Sequence, residues 1–248
     1  MADASFRFHE ALNDFLAPRR RRCEFTARCA QGATTKHMVE ALGVPHTEIG
    51  LILVNGEAVG LDHRLRDGDR VSVYPPFRTL DIGALSGMYE PPRQVTRFIA
   101  DAHLGGLARL LRMAGFDTRY RNDYMDREIV QLARQEERIV LTRDRDLLKC
   151  RDVAHGCYIY ALKPAQQFIE LIRRLNLASE IRPLSLCLMC NVPLVAAERE
   201  KVAVRVPPAI RNRYNRFTTC PVCGQVYWEG SHWKRMHMMI HGAAAGQV

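Results

Sequence analysis

No apolar run in this 248-residue chain approaches the roughly 18–20 residues that cross a bilayer, so a helical membrane span is excluded. The opening residues, MADASFRFHE, lack the basic-then-apolar pattern of a signal peptide. The two absences predict a cytoplasmic protein with no membrane partner. In that compartment the eight cysteines are expected to stay reduced, and paired ones to be metal ligands rather than disulfides. Acidic residues run short toward the end of the chain: residues 181–248 carry 3 Asp/Glu against 9 Lys/Arg. Residues 1–80 and 81–180 are nearly balanced, at 10 against 11 and 14 against 16. Most of the net charge of +9 therefore lies beyond residue 180, which points to a polyanionic partner.

Two Cys-x-x-Cys pairs, Cys187-Leu-Met-Cys190 and Cys220-Pro-Val-Cys223, stand in that basic segment with 29 residues between them. Each pair can occupy its own knuckle and complete a tetrahedral Cys₄ site, so a structural zinc is expected. Four thiolates around Zn²⁺ carry a net −2, leaving the segment at about +4. Gly224 permits the turn that aims backbone amides at sulfur. Cys23, Cys29, Cys150 and Cys157 have no paired spacing and read as ordinary thiols. Around the pairs lie Arg205, Arg211, Arg213, Tyr214, Arg216 and Phe217, then Tyr227, Trp228, His232, Trp233, Lys234 and Arg235. The cationic side chains and Trp233 are candidate RNA contacts, since cations bind phosphate and aromatics stack on unpaired bases. Phe217 and Tyr227 read as ribbon core.

The first third alternates in a way that predicts a small mixed sheet. SFRFHE (5–10) reads as a strand, Arg19–Arg22 as a solvated turn, and TTKHMVEAL (34–42) as a helix capped by Thr34 or Thr35. Leu51–Val54 reads as a strand closed by an Asn55-Gly56 hairpin turn. Asp67-Gly68-Asp69 turns into a strand at Arg70–Tyr74 that Pro75-Pro76 stops. Residues 81–94, with two glycines and two prolines, read as a linker. Beyond it, strands at 97–100, 117–121, 138–142 and 158–162 alternate with helices at 104–114, 126–137 and 164–175. That alternation implies a parallel sheet covered by helices.

Ligands in parallel α/β folds bind at the carboxyl ends of strands. Asp101 follows the first of these strands, Asp126 opens the helix after the second, and Asp144 and Asp146 follow the third within Thr142-Arg143-Asp144-Arg145-Asp146. Four acids on one edge would repel unless a hard divalent cation joined them. Mg²⁺ or Mn²⁺ fits such oxygen donors and would activate water for phosphodiester cleavage. Each acid also has a plainer use: Asp101 as a helix cap, Asp126 as a favourable charge at a helix start, Asp144 and Asp146 as a salt-bridged turn. Asp123 competes with Asp126 for the second position. Glu128 reads as solvated, and His103 as a packing or surface residue.

Two resemblances sharpen these expectations. VNGEAVGLDHRLRDGDRVSVYPP resembles the ubiquitin-like sulfur carriers of thiamine and molybdopterin synthesis, although the chain runs on through Phe77-Arg78-Thr79-Leu80 where those carriers end in Gly-Gly. FIADAHLGGLARLLRMAGFDTRYRNDYMDREIVQLARQEERIVLTRDRDLL, with VYWEGSHWKRM at 226–236, resembles the PIN-like Mut-seven C-terminal ribonuclease domain family. That resemblance implies a metal-dependent ribonuclease, a hydrolase acting on single-stranded RNA, with a zinc ribbon and, in some members, a ubiquitin-like module. It implies catalytic roles for Asp101, Asp126, Asp144 and Asp146, with Thr142 orienting a ligand or phosphate. The expected architecture is α/β and α+β multidomain: a β-grasp ubiquitin-like domain (1–80), a linker (81–94), a PIN-like parallel-sheet α/β domain (95–180), and a zinc ribbon with a basic segment (181–248). The β-grasp domain is expected to dock a protein partner or present substrate. The rival expectations are a non-catalytic RNA-binding adaptor and, less favoured because the Gly-Gly is missing, a sulfur-transfer accessory protein.

Overall fold

The computed structural model describes residues 2–76, 96–231, 233–235 and 237–238. They belong to two compact units, residues 1–95 with 133–158 and residues 96–132 with 159–248. The linker expected at 81–94 and the segment 77–80 lie outside the described residues. Among the described residues no helix is long and apolar enough to cross a membrane.

In the first unit, β1 (Ala2–Phe8), β2 (Phe25–Cys29), β3 (Leu51–Val54), β4 (Glu57–Val59) and β5 (Arg70–Tyr74) form one sheet in the order β2-β1-β5-β3-β4. β1 and β5 run parallel and the other neighbours antiparallel, which is the β-grasp arrangement. Period-two patterning fixes which face is covered. Phe6, Phe8, Ile52, Val54, Val71 and Val73 are buried, as are Met38 and Val39 of helix α1 (Thr35–Ala41). Each such side chain contributes about 1.5–3 kcal/mol on burial. The Thr34 hydroxyl caps α1 by accepting from the His37 N–H at 3.2 Å. Asn55 and Gly56 turn the β3–β4 hairpin at φ of 52° and 89°, the left-handed pair that a two-residue loop needs to match strand twist. The Asn55 side chain then bridges to the Asp69 carboxylate and to the Arg70 N–H, both at 2.9 Å.

The same unit holds a parallel pair, β8 (Ile139–Thr142) with β9 (Gly156–Tyr158), in register Val140 to Gly156 and Thr142 to Tyr158. All four residues of β8 are buried, the continuous apolar run of a strand covered on both faces. The strand expected at 158–162 ends instead at Tyr158. The N–H groups of Tyr160 and Ala161 donate to the Glu170 carboxylate at 3.0 and 2.9 Å, so their hydrogen bonds go to a side chain rather than to a neighbouring strand.

In the second unit, β6 (Phe98–Ala100) and β7 (Thr118–Tyr120) pair in parallel. Helix α2 (Gly105–Ala114) buries Leu107, Ala108, Leu111 and Ala114, the stripe that its helical spacing predicts. Helix α3 (Asp126–Glu136) begins in this unit. In the first unit a short helix α4 (Arg145–Lys149) follows β8, one that no apolar periodicity announced. Helix α5 (Pro164–Arg174) starts on proline and buries Phe168, Leu171 and Ile172. Farther on, β10 (Val195–Ala197), β11 (Phe217–Thr219) and β12 (Val226–Tyr227) make a three-stranded antiparallel ribbon.

Gly115 closes α2 at φ 95°, the left-handed cap that glycine adopts without a Cβ penalty. A Cβ there would also lie 2.3 Å from the Arg182 carbonyl oxygen and 2.7 Å from Ser185 Oγ. Gly115→Ala is therefore expected to cost about 1 kcal/mol for its backbone conformation and a further 1–3 kcal/mol, roughly, for forced displacement of residues 182–185. Gly68→Ala, at φ 81° with open space around it, should cost only the first amount. Chemical denaturation of the two variants checks the difference.

Candidate functional site

The four paired cysteines meet. The ligand atoms of Cys187, Cys190, Cys220 and Cys223 all lie within 4.8 Å of one another. Cys187 Sγ and Cys223 Sγ are 3.7 Å apart, against about 3.8 Å for the edge of a tetrahedron with Zn–S bonds near 2.3 Å. The two pairs are built alike. The Cys190 N–H reaches Cys187 Sγ and the Cys223 N–H reaches Cys220 Sγ, each at 3.4 Å. The residue after each pair is left-handed, Asn191 at φ 59° and Gly224 at φ 73°, and each donates its N–H back to the carbonyl of the first cysteine of its pair. Glycine takes that conformation freely, and asparagine is one of the few other residues that tolerate it.

Burial alone would push the Cys187 thiol up. The Tyr227 hydroxyl and the N–H groups of Cys190 and Met189 outweigh it by donating to the sulfur, and hold the thiol at about 6. The Cys190 thiol is pushed up to about 12, chiefly through its hydrogen bond with Cys223 and then by burial. The Cys187 thiolate forms readily, while Cys190 and Cys223 resist ionising beside it, as expected of a cluster completed by a cation. A soft tetrahedral sulfur set suits zinc, and these four residues would hold it. Tyr227, which reads from sequence as core, touches the site directly: its oxygen lies 3.2 Å from Cys187 Sγ and accepts from the Leu188 N–H at 3.1 Å.

Sequence reasoning missed Arg112. It sits on α2 among apolar residues and is 7% exposed. Its Nε donates to the Thr118 carbonyl at 2.9 Å, and its Nη1 to the carbonyls of Leu188 and Met189 at 2.9 and 3.0 Å. Burial lowers its pKa and the nearby Cys187 and Asp117 raise it, but a guanidinium stays charged in either case. Asn191 adds a second tie from the same knuckle. It accepts from the Thr118 N–H at 2.9 Å and donates to Asp117. The first knuckle is thereby fastened to α2 and β7.

The ribbon's own core is Val202, Val206, Phe217 and Val226, with Ile210, Tyr214 and Trp228 packed against it. Phe217 is core, as read from sequence. Arg205 is exposed, yet its Nη1 donates to the Gly224 carbonyl at 2.7 Å, so it supports the second knuckle. Arg213 and Arg216 are exposed and Arg211 half-buried. Arg213 lies over Tyr214. Trp233 is half-buried and stacks on His237 at 4.7 Å, while Lys234 and Arg235 are exposed. His232 lies outside the described residues.

Each aspartate has a local hydrogen bond or a local charge role. In the second unit Asp101 directly follows β6. It is 9% exposed and caps the 3-10 turn Ala102–Leu104 by accepting from the Ala102 N–H at 2.6 Å. His103 on that turn is exposed. Asp126 is exposed in the first turn of α3. Asp123 is held in a two-point pair by Arg121, at 2.9 and 3.0 Å, and that bond keeps its carboxyl below the usual range. In the first unit the Asp144 N–H donates to Thr142 Oγ1 at 2.9 Å, and the Asp144 side chain caps α4 by accepting from the Asp146 N–H at 2.7 Å. Asp146 is exposed beside Lys149 at 3.1 Å. Among the described residues the four aspartates are not part of a group of three or more ligands drawn together as the cysteines are. A carboxylate offers about four lone-pair sites, so a single capping bond does not exhaust it. Its hard oxygen donors suit Mg²⁺ or Mn²⁺.

The sequence model of the Mut7-C RNAse domain family matches residues 96–240, and that of the Mut7-C ubiquitin matches residues 1–81. Two solved structures are similar in part. The crystal structure of H. volcanii small archaeal modifier protein 1 is 21% identical, covers 31% of this chain and 100% of its own, and gives a TM-score of 0.26. The crystal structure of SAMP1 from Haloferax volcanii is 19% identical, covers 32% and 100%, and gives the same score. No curated protein matches the chain.

Two outcomes are expected at the cysteine site. Elemental analysis should find about one zinc per chain, lost in Cys220→Ser together with the ribbon's near-ultraviolet signal; four freely titrating thiols would contradict the site. Arg112→Met removes three hydrogen bonds from a charged donor, one buried and two part-buried. It should lower stability by about 3 kcal/mol and reduce zinc content even though no ligand has changed.

Proposed function

This chain belongs to the Mut7-C RNAse domain family, and from that membership we propose that it is a metal-dependent endoribonuclease. The observation that carries the proposal is the match over residues 96–240. Four acids, each just past a strand or at the head of the helix that follows, support it within that stretch. Asp101, Asp126, Asp144 and Asp146 would hold one or two Mg²⁺ or Mn²⁺ ions. A cation bound there supplies Lewis acidity, lowering the pKa of water and screening the phosphate charge. The remaining work falls to the chain. Thr142 holds the backbone of Asp144. Asp126 serves as the second acid in preference to Asp123, whose charge Arg121 already neutralises. Arg211, Arg213, Arg216, Trp233, Lys234 and Arg235 bind RNA by its phosphates and unpaired bases, with Arg205 contributing charge from the second knuckle. The PIN-like reading of the parallel strands, the domain limits of 1–80, 95–180 and 181–248, and a cytoplasmic location are parts of the same proposal.

One observation favours the adaptor reading: Asp101 and Asp144 already cap helical turns, a use that needs no cation. Asparagine separates the two. It caps as well as aspartate but carries no charge for a cation. In Asp144→Asn and Asp101→Asn the melting temperature should stay within a few degrees of wild type while cleavage of single-stranded RNA in Mn²⁺ falls by about 10²-fold or more. Wild-type rates in both variants would hand the function to the adaptor. Replacing Arg211, Arg213 and Arg216 together by Ala should weaken RNA binding and flatten its salt dependence, by roughly 0.7 in slope for each phosphate that is no longer neutralised. Filter binding across a salt series reads this without any cleavage.

A further inference from the structure

Arg145 stands between Asp144 and Asp146 and is the first residue of α4, the helix that Asp144 caps. The residues it touches belong to the N-terminal module and to β9, all within the first compact unit. Its Nη1 donates to the Phe15 carbonyl at 3.0 Å and its Nη2 to the Asp14 carbonyl at 3.1 Å. These carbonyls end the 3-10 helix Glu10–Phe15, where main-chain oxygens lack helical donors and a cation is favoured. The guanidinium lies 5.0 Å over the Phe15 ring and 5.8 Å over the Tyr158 ring. The two rings meet edge to face at 5.2 Å.

Two further ties run the same way. Glu48, 3% exposed, accepts from the Tyr158 N–H at 2.6 Å. His46, 9% exposed, has Nε2 3.0 Å from the Val153 carbonyl and Nδ1 2.7 Å from Glu40 Oε1. The ubiquitin-like module therefore grips the segment from Arg145 to Tyr158 at three places, through groups that are costly to leave unpaired when buried.

We propose that the ubiquitin-like module is an internal brace for the Asp144–Asp146 segment, with Arg145 as the positioning residue. A five-residue helix has no stability of its own, since helix nucleation is unfavourable. Two neighbouring carboxylates also repel each other. The Lys149–Asp146 pair, with Asp146 88% exposed, contributes little against this. Leu147 and Leu148 are buried and anchor the body of the helix; at its start the Asp144 cap and the Thr142 hydroxyl are joined by the Arg145 fork, planar and matched to two carbonyls and two rings. Lysine carries the same charge but cannot reproduce that geometry. What the two acids do rests on the nuclease reading; the brace itself does not.

The test compares full-length wild type with Arg145→Lys and Tyr158→Leu. Amide hydrogen exchange by NMR on metal-free protein should speed up at residues 144–147 by about tenfold in Arg145→Lys, the worth of one charge-assisted hydrogen bond. Exchange in β1, β3 and β5 should stay as in wild type. Tyr158→Leu removes one ring and leaves both carbonyl bonds, so it should give a smaller acceleration at the same residues. It carries the test if Arg145→Lys fails to fold. Unchanged exchange at 144–147 in folded variants overturns the brace. Mn²⁺ titration followed by electron paramagnetic resonance should show weaker binding to Arg145→Lys, and cleavage should show a lower kcat with KM for RNA unchanged, a split that general loosening would not give. Wild type that neither binds Mn²⁺ nor cleaves RNA sinks the nuclease reading, while the exchange result still decides the brace.

Discussion

A buried guanidinium that satisfies main-chain carbonyls supplied by distant parts of the sequence is the interaction on which this protein's short elements depend. β6, β7 and β9 are three residues long and β8 is four. Strands that short bury little on their own, and the cysteine knuckles are irregular backbone. Arg112 closes the gap in the second unit by donating to a strand-end carbonyl and to two knuckle carbonyls at once. Thr118, which supplies the strand carbonyl, is fully buried, and an unsatisfied group there costs about 1–3 kcal/mol. Arg145, only half-buried, makes a similar two-carbonyl contact in the first unit with Asp14 and Phe15. Arginine suits both positions because its fork reaches two acceptors without bending and it is less strongly hydrated than an ammonium.

The acids occupy a related double position. A helix cap is worth about 1 kcal/mol and is served equally well by Asn, Asp or Ser. Capping alone therefore does not account for a carboxylate at both 101 and 144. Charge is what distinguishes aspartate from its equals at these positions, and under the nuclease proposal that charge is what would hold a cation. Asp123 makes the contrast within the same unit as Asp101. Arg121 holds both of its oxygens, so a cation would have to compete with a guanidinium already in place.

Much of this was legible from local pattern. The Cys-x-x-Cys pairs needed only spacing, and the Asn55-Gly56 hairpin and the cap at Thr34 or Thr35 needed only local backbone preferences. The alternative uses of Asp101 and Asp144 as caps could also be read, because a cap concerns residues one to three apart. What could not be read has partners far away in sequence. Arg112 sits in LARLLRMA as though on a polar edge of the helix, and two of its three acceptors are 76 and 77 residues on. Arg145 looks like half of a solvated charge pair, and its acceptors lie 130 and 131 residues back. Tyr227 looks like ribbon core because nothing local says its hydroxyl meets Cys187. The β9 boundary slipped for a similar reason. YIYAL is a fair strand by composition, and only Glu170, on a later helix, withdraws its amides.

A ubiquitin-like module without the Gly-Gly end of a sulfur carrier invites a docking role, and a brace is compatible with one. The brace uses the end of the Glu10–Phe15 turn and the 46–48 loop. The sheet face that carries Arg7 and Arg70 is on other residues, and both side chains are exposed. The two roles also differ in what they require of the linkage. A docking module works at the end of any tether. A brace of three polar ties is worth only a few kcal/mol, too little to hold a free module at cellular concentrations once the cost of association, about 4 kcal/mol or more, is counted. Covalent attachment removes that cost, because the module is then always at high effective concentration beside the acid segment. A module that acts by holding two aspartates in place therefore gains by being part of the same chain as the residues it holds.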